Sequence, residues 1–217
     1  MSDLKDLIES VLEGEESKTV GLVRLALHQA RSPKEVLNEG LIKAMHIVGE
    51  KFKEGELFVP DVLWAAQAMK AGIEVLRPYF GKADMEPLAK VVIGTVKGDI
   101  HEIGKNLVAM MMEANGFEVI DLGVDVAPEK FVKAAKVHNA SLCMMSALLT
   151  TTMPGMKKTI EALETEGLGD RVKTVVGGAP VTKEFALAIG ADGYSPDASG
   201  AVSLAKSLVT QADQEGK

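Results

Sequence analysis

Apolar residues recur at two different periods along this chain, and the change of period divides it. In the first third they return every three or four positions: Leu4, Leu7, Ile8, Val11 and Leu12, then Val20, Val23, Leu25 and Ala26, then Leu37, Leu41, Met45, Val48 and Phe52. That spacing predicts three amphipathic helices, each burying one stripe. Ser32-Pro33-Lys34-Glu35 gives the third a defined start, with a capping serine, a first-turn proline and a glutamate at the reciprocal capping-box position. Gly55 ends it. Pro60 and Asp61 then open a fourth helix, Val62 to about Leu76, closed before Pro78 because the residue ahead of a proline resists helical geometry. Four helices joined by short loops predict an antiparallel bundle.

Beyond residue 90 the period changes. Apolar runs of strand length (Val91–Gly94, Phe117–Leu122, Ser141–Ser146, Val172–Val176 and Ala191–Tyr194) alternate with helical stretches beginning near Gly104, Pro128, Met156, Lys183 and Ala198. Strands that are apolar throughout, rather than apolar at every second residue, are buried on both faces. Five of them alternating with five helices predict a doubly wound parallel sheet. The expected fold class is therefore α/β: an N-terminal four-helix bundle over residues 1–84, then a flavodoxin-like (Rossmann-type) five-stranded parallel sheet over 90–217. Residues 81–89 have no period and carry glycine and proline, which reads as a linker and as the place for a hinge. In such a sheet, ligands bind outside the carboxyl ends of the strands.

Composition narrows the class of partner. The chain has 217 residues, with 24 Lys and Arg against 31 Asp and Glu. This acidic balance argues against a protein held on nucleic acid by phosphate contacts. One cysteine, Cys143, cannot form an internal disulfide or a cysteine-rich metal site, and the acidic start is no signal peptide, so a cytoplasmic address is expected. No apolar run approaches the ~18 residues that span a bilayer, so no membrane partner is expected. A complete barrel enzyme of about 250 residues would not fit, so barrel chemistry would belong to a separate chain.

The strand ends carry the candidate chemistry. After the first strand comes Lys97-Gly98-Asp99-Ile100-His101-Glu102-Ile103-Gly104. A carboxylate two residues before an imidazole can fix one ring nitrogen while the other faces a ligand, which suits a metal; a solvated Asp and His in a polar loop is the plainer alternative. After the third strand, Ser146, Thr150, Thr151 and Thr152 place four hydroxyls within seven residues, more than the capping of one helix needs. Gly177-Gly178 after the fourth strand lets backbone come close to a ligand, or simply makes a tight turn. The fifth delivers Asp192-Gly193-Tyr194-Ser195. Little positive charge and no G-x-G-x-x-G speak against a nucleotide phosphate. His28, His46, His138 and the run Met110-Met111-Met112 have no clustered partners and read as packing.

Asp99-x-His101-x-x-Gly104, then 41 residues, Ser146-x-Leu148, then 28 residues, and Gly177-Gly178 resembles the cobalamin-binding signature D-x-H-x-x-G, S-x-L, G-G in identity and spacing. The first half, through Val48-Gly49-Glu50-Lys51-Phe52 and on to Pro60, is similar to the helical cap that precedes the cobalamin domain of cobalamin-dependent methionine synthase. Cap plus cobalamin domain is the make-up of the corrinoid proteins of anaerobic methyltransferase systems. The resemblance implies a cobalamin or related corrinoid bound base-off and His-on, with His101 as lower axial cobalt ligand and Asp99 accepting its other N–H. A hydroxyl orients Asp99 in turn; spacing from Ser146 puts it on Thr152, with Thr151 a competitor. Gly98, Ile100, Gly104, Ser146, Leu148, Thr150, Gly177, Gly178 and Tyr194 match positions around the macrocycle and its displaced nucleotide tail. Phe52 and Val59 match the cap positions that shield the upper face, with bundle core as the plainer alternative for both.

The activity implied is that of a carrier that is not catalytic alone. Co(I) accepts a methyl group through a substrate-specific methyltransferase, and methyl–Co(III) gives it to a carrier such as tetrahydrofolate through a second one, with a reductive activase to rescue oxidised cobalt. Aryl methyl ethers, in an O-demethylase system, are the first expectation for the donor, with methylamine or methanol next. The rival reading is a cobalamin-dependent sensor, which would ordinarily carry an added DNA-binding or signalling domain.

Overall fold

A computed structural model describes residues 4–79 and 87–215. The chain divides into two compact units, Met1–Glu86 and Pro87–Lys217. The linker expected over 81–89 falls mostly on residues 80–86, outside the described ones; Leu88 already donates its amide to Gly116 of the second unit at 2.9 Å.

The first unit is helical: α1 (Lys5–Leu12), α2 (Glu16–His28), a rod made of α3 (Pro33–Glu35), a π-helical stretch (Val36–Ile42) and α4 (Lys43–Lys53), and then α5 (Val59–Leu76). Most of the apolar stripes read from the sequence are buried, with Leu7, Val11, Val23, Leu41, Met45 and Val48 at most 2% exposed, but Leu25 is 49% exposed, its place on α2 lying off the stripe that Val23 and Ala26 bury. The third helix starts as expected, Ser32 Oγ accepting from the Glu35 amide at 3.1 Å. The Glu35 carboxylate meets the Arg31 guanidinium at 2.6 Å. The fourth helix begins three residues earlier than expected, at Val59, because Asp61 accepts from the Phe58 amide at 2.7 Å and so closes the first turn around Pro60. The π-helical stretch is absent from the sequence expectation. It contains Gly40, where a Cβ would lie 2.6 Å from a Leu7 methyl, so the wide turn and the missing side chain together admit α1.

The second unit contains β1 (Lys90–Thr95), α6 (Ile103–Ala114), β2 (Glu118–Asp121), α7 (Pro128–His138), β3 (Leu142–Ser146), α8 (Pro154–Thr165), β4 (Lys173–Gly177), α9 (Lys183–Ala188), β5 (Gly193–Tyr194) and α10 (Ala198–Glu215). The strands are all parallel, in the order β2-β1-β3-β4-β5. This is the expected flavodoxin-like winding, with strand order reversing beside β1. Register brings Thr95, Ser146 and Gly177 side by side at the carboxyl edge. The loops that follow β1, β3 and β4 therefore converge there. Beneath them Phe131, Cys143, Met156 and Val176 are fully buried, which fixes the platform on which these loops stand.

Candidate functional site

The loop between β1 and α6 crosses the carboxyl edge with Asp99 turned in and His101 turned out. Gly98 makes this possible by taking φ +84°, a conformation open to glycine. Asp99 is fully buried, whereas the His101 side chain is 47% exposed. The loop is held from beneath by Thr95, whose hydroxyl donates to the His101 carbonyl at 2.8 Å.

Asp99 is the hub. Its Oδ1 lies 2.7 Å from His101 Nδ1 and accepts the His101 amide at 3.1 Å. Its Oδ2 accepts the Leu148 amide at 2.8 Å, the Leu149 amide at 3.2 Å and the Thr152 hydroxyl at 2.8 Å. Burial pushes this carboxyl upward, but the bonds from Leu148, from the His101 ring and amide and from Thr152 outweigh it and hold the group well below the usual carboxylate range. A carboxylate next to Nδ1 puts the ring proton there. Nε2 is then left as a lone pair at the exposed end of the ring. Of the two adjacent threonines, Thr152 reaches Asp99 and is buried, while Thr151 is exposed. Thr152 Oγ1 also lies 2.8 Å from the Leu149 carbonyl, so its one proton is shared between two acceptors.

Exposed aliphatic side chains stand on the loop of the imidazole and on the adjoining loop after β3, along with exposed Glu102, Thr150 and Thr151. Ile100 is 74% exposed, Ile103 81%, Leu148 43% and Leu149 42%. Four large apolar side chains so exposed on adjoining loops are unusual for a protein surface. They suit the face of a large, mostly apolar macrocycle. Among the described residues no group of three or more His, Cys, Asp or Glu is gathered, and the imidazole turned outward at this edge is that of His101. The residues present therefore fit a metal that brings its other ligands in a ring.

The other expected positions separate into groups. Ser146 and Gly177 sit half-buried in the edge row, Thr150 is exposed on the same loop as Leu148, and a Cβ at Gly104 would meet nothing within 4 Å. Gly178 is glycine for a reason internal to the protein: it has φ +131° and a Cβ would stand 1.9 Å from the Ala147 carbonyl oxygen. Tyr194 packs partly against the sheet core. Asp192 belongs elsewhere, accepting from the Thr174 amide and hydroxyl at 2.8 Å at the start of β4. Phe52 and Val59 lie in the first unit, Phe52 half-buried on α4 and Val59 38% exposed at the start of α5.

Sequence reasoning missed Thr95, Lys105 and Asp125. Lys105, in the first turn of α6, is buried yet reaches Asp121 at 2.5 Å and Asn106 at 2.6 Å, tying that turn to the end of β2. A lysine one residue after Gly104 is the only signal the chain gave for it.

A doubly wound sheet that presents a carboxylate-anchored imidazole beside exposed aliphatics at its carboxyl edge defines a class: a ligand-binding α/β domain. Residues 89–203 match the B12 binding domain, and residues 3–77 match a second domain of the same description. The chain belongs to the B12 binding domain family. It is 45% identical to trimethylamine corrinoid protein 2 of Methanosarcina acetivorans over 203 residues, covering 93% of this chain and 94% of that one. Among solved structures, a cobalamin-binding protein from Desulfitobacterium hafniense DCB-2 aligns with a TM-score of 0.82 at 32% identity, over 96% of this chain and 99% of that one. The methanol:cobalamin methyltransferase complex of Methanosarcina barkeri contains a chain that aligns with the same TM-score of 0.82 at 28% identity, over 98% of this chain and 83% of that one.

Proposed function

We propose that this chain is the methyl-carrying corrinoid protein of a methyltransferase system. His101 Nε2 would hold the cobalt, with the cofactor's own base displaced. The observation that carries this reading is the pairing of a buried, fully bonded Asp99 with a half-exposed His101 ring beside exposed aliphatics. When bound, the corrinoid supplies the cobalt centre on which the methyl group travels. The protein supplies orientation and a proton store. Asp99 fixes the ring and its tautomer, Thr152 and the Leu148 and Leu149 amides fix Asp99, and Ile100, Ile103, Leu148 and Leu149 keep water from the ligand. Gly104, Gly177, Gly178, Ser146, Thr150 and Tyr194 lie on the edge where a displaced nucleotide tail would run. Phe52 and Val59, on the first unit, keep the shielding role that the resemblance implies, and Val59 is exposed.

The partners are a substrate-specific methyltransferase, a second methyltransferase serving a carrier of the tetrahydrofolate type, and a reductive activase. The relative named for trimethylamine moves a methylamine ahead of an aryl methyl ether as methyl donor. The buried thiol of Cys143 accords with a cytoplasmic protein. The decisive experiment is His101→Gly: the variant, reconstituted with hydroxocobalamin, should keep the corrinoid through desalting but lose the histidine-ligated absorption spectrum. A spectrum unchanged by the substitution refutes the assignment.

A further inference from the structure

The ligand loop is flanked on both sides, since β1 lies between β2 and β3. On the β3 side it is held through the Asp99 side chain. On the β2 side it is held through backbone, and one residue completes that contact. The Gly98 amide donates to Asp125 Oδ1 at 2.7 Å, and the Asp125 amide donates to the Asp99 carbonyl at 2.9 Å. The two bonds clasp the Lys97–Gly98 and Asp99–Ile100 peptides, which bracket Gly98 and Asp99. We propose that Asp125 is a positioning residue for His101, setting the loop from which the imidazole reaches cobalt; the inference rests on the ligand assignment proposed above.

Three observations support it. Asp125 takes φ +53°, a left-handed conformation that costs a side chain free energy unless its surroundings hold it there. Asn139, with a similar φ, caps the end of α7, whereas Asp125 terminates no helix and no strand. The flanking segment is zipped to β1 and the loop after it: the Thr95 amide donates to the Gly123 carbonyl and the Val126 amide to the Thr95 carbonyl, each at 3.0 Å, and Val96 bridges Val126. Asp125 is also exposed, so its carboxylate packs no core. What its side chain does is hold Gly98 and favour the turn that lets its own amide reach Asp99. Release of the clasp would leave Asp99 anchored from one side, and His101 would be presented to cobalt from a looser loop.

The test uses the cobalamin-loaded protein reduced to Co(II), read by electron paramagnetic resonance. A histidine ligand splits each line into a triplet through its nitrogen-14, and added nitrogen-15 imidazole that displaces it gives doublets. The imidazole concentration at the midpoint of that exchange measures how firmly His101 is presented. Asp125→Gly, which tolerates the left-handed backbone but lacks the oxygen, should lower the midpoint roughly threefold to tenfold, the equivalent of one ordinary hydrogen bond. Asp125→Asn keeps the oxygen and the turn preference and should leave the midpoint at the unmutated value. An unchanged midpoint in Asp125→Gly, or an equal fall in both variants, overturns the clasp. Asp125→Ala provides the second side-chain deletion should the glycine variant fail to fold. A triplet that survives in His101→Gly overturns the ligand assignment itself, so the two failures are told apart.

Discussion

Replacing Asp99 with alanine removes the acceptor of five hydrogen bonds at once, from Leu148, Leu149, Thr152, and the amide and ring of His101, all at 2.7–3.2 Å. Deleting one partner from a buried charged cluster costs about 3–5 kcal/mol, because the donors left behind lose their acceptor in a place water barely reaches. Here Thr152 is buried but Leu148, Leu149 and His101 are exposed residues, so water recovers part of the loss and the expected cost is about 3 kcal/mol. Asp99→Asn should fare little better, since its amide turns a donor toward donors. The pH dependence gives the sharper check. The folded-state pKa of Asp99 is depressed, so its contribution is fully present above the unfolded value of about 4 and is lost as pH falls through the folded value. Urea unfolding of the apoprotein should therefore show unmutated protein about 3 kcal/mol more stable than Asp99→Ala at neutral pH, with the gap shrinking by about 1.4 kcal/mol for each unit below about pH 4. A gap that is constant with pH, or below about 1 kcal/mol at neutrality, would refute the reasoning.

Two further substitutions and probes test the platform under the site. Gly178→Ala places a Cβ 1.9 Å from the Ala147 carbonyl oxygen at φ +131° and should destabilise the apoprotein by about 2–5 kcal/mol in the same urea assay, while Gly104→Ala, in open space in the first turn of α6, should leave stability unchanged or raise it by up to about 1 kcal/mol. Cys143 is fully buried and its thiol is pushed up to about 12 by desolvation, so iodoacetamide should leave it unmodified in the native protein and alkylate it at once in urea; rapid native labelling would contradict the β3 burial.

Much of the fold was legible because it rests on periodicity. The apolar stripes of α1, α2 and α4 and the buried strands β1, β3 and β4 each announce themselves over several residues, whereas β2 and β5, at the sheet edges, are only half-buried at best; right-handed crossovers leave few ways to order such strands. The π-helical stretch was not legible, since its extra residue per turn changes no apolar position enough to break a helical pattern. Gly40 was the one clue, and its meaning depends on Leu7, thirty-three positions earlier. The start of α5 was misplaced because Pro60 and Asp61 were read as opening a helix that runs from Val62, whereas the Asp61 cap reaches back to Phe58 and admits Val59.

The site was legible to the extent that its chemistry is local. Asp99 and His101 are two residues apart, so the carboxylate–imidazole bond follows from their spacing, and Thr152 was within reach of a spacing argument with Thr151 the alternative. Only coordinates separate that pair, because which of two consecutive threonines turns inward depends on the Leu149–Thr152 turn, where the Thr152 amide meets the Leu149 carbonyl at 3.1 Å. Thr95 and Asp125 were illegible for a different reason. Each acts on the ligand loop through main-chain atoms of Gly98, Asp99 and His101, and an amide or a carbonyl leaves no mark in a sequence. A ligand loop read from its side chains alone therefore looks half-anchored, with all its support on the β3 side. The β2 side supplies the other half through Asp125, whose carboxylate accepts the Gly98 amide and whose own amide reaches the Asp99 carbonyl. This explains how His101 is presented in a fixed direction although nearly half of its side chain is open to solvent.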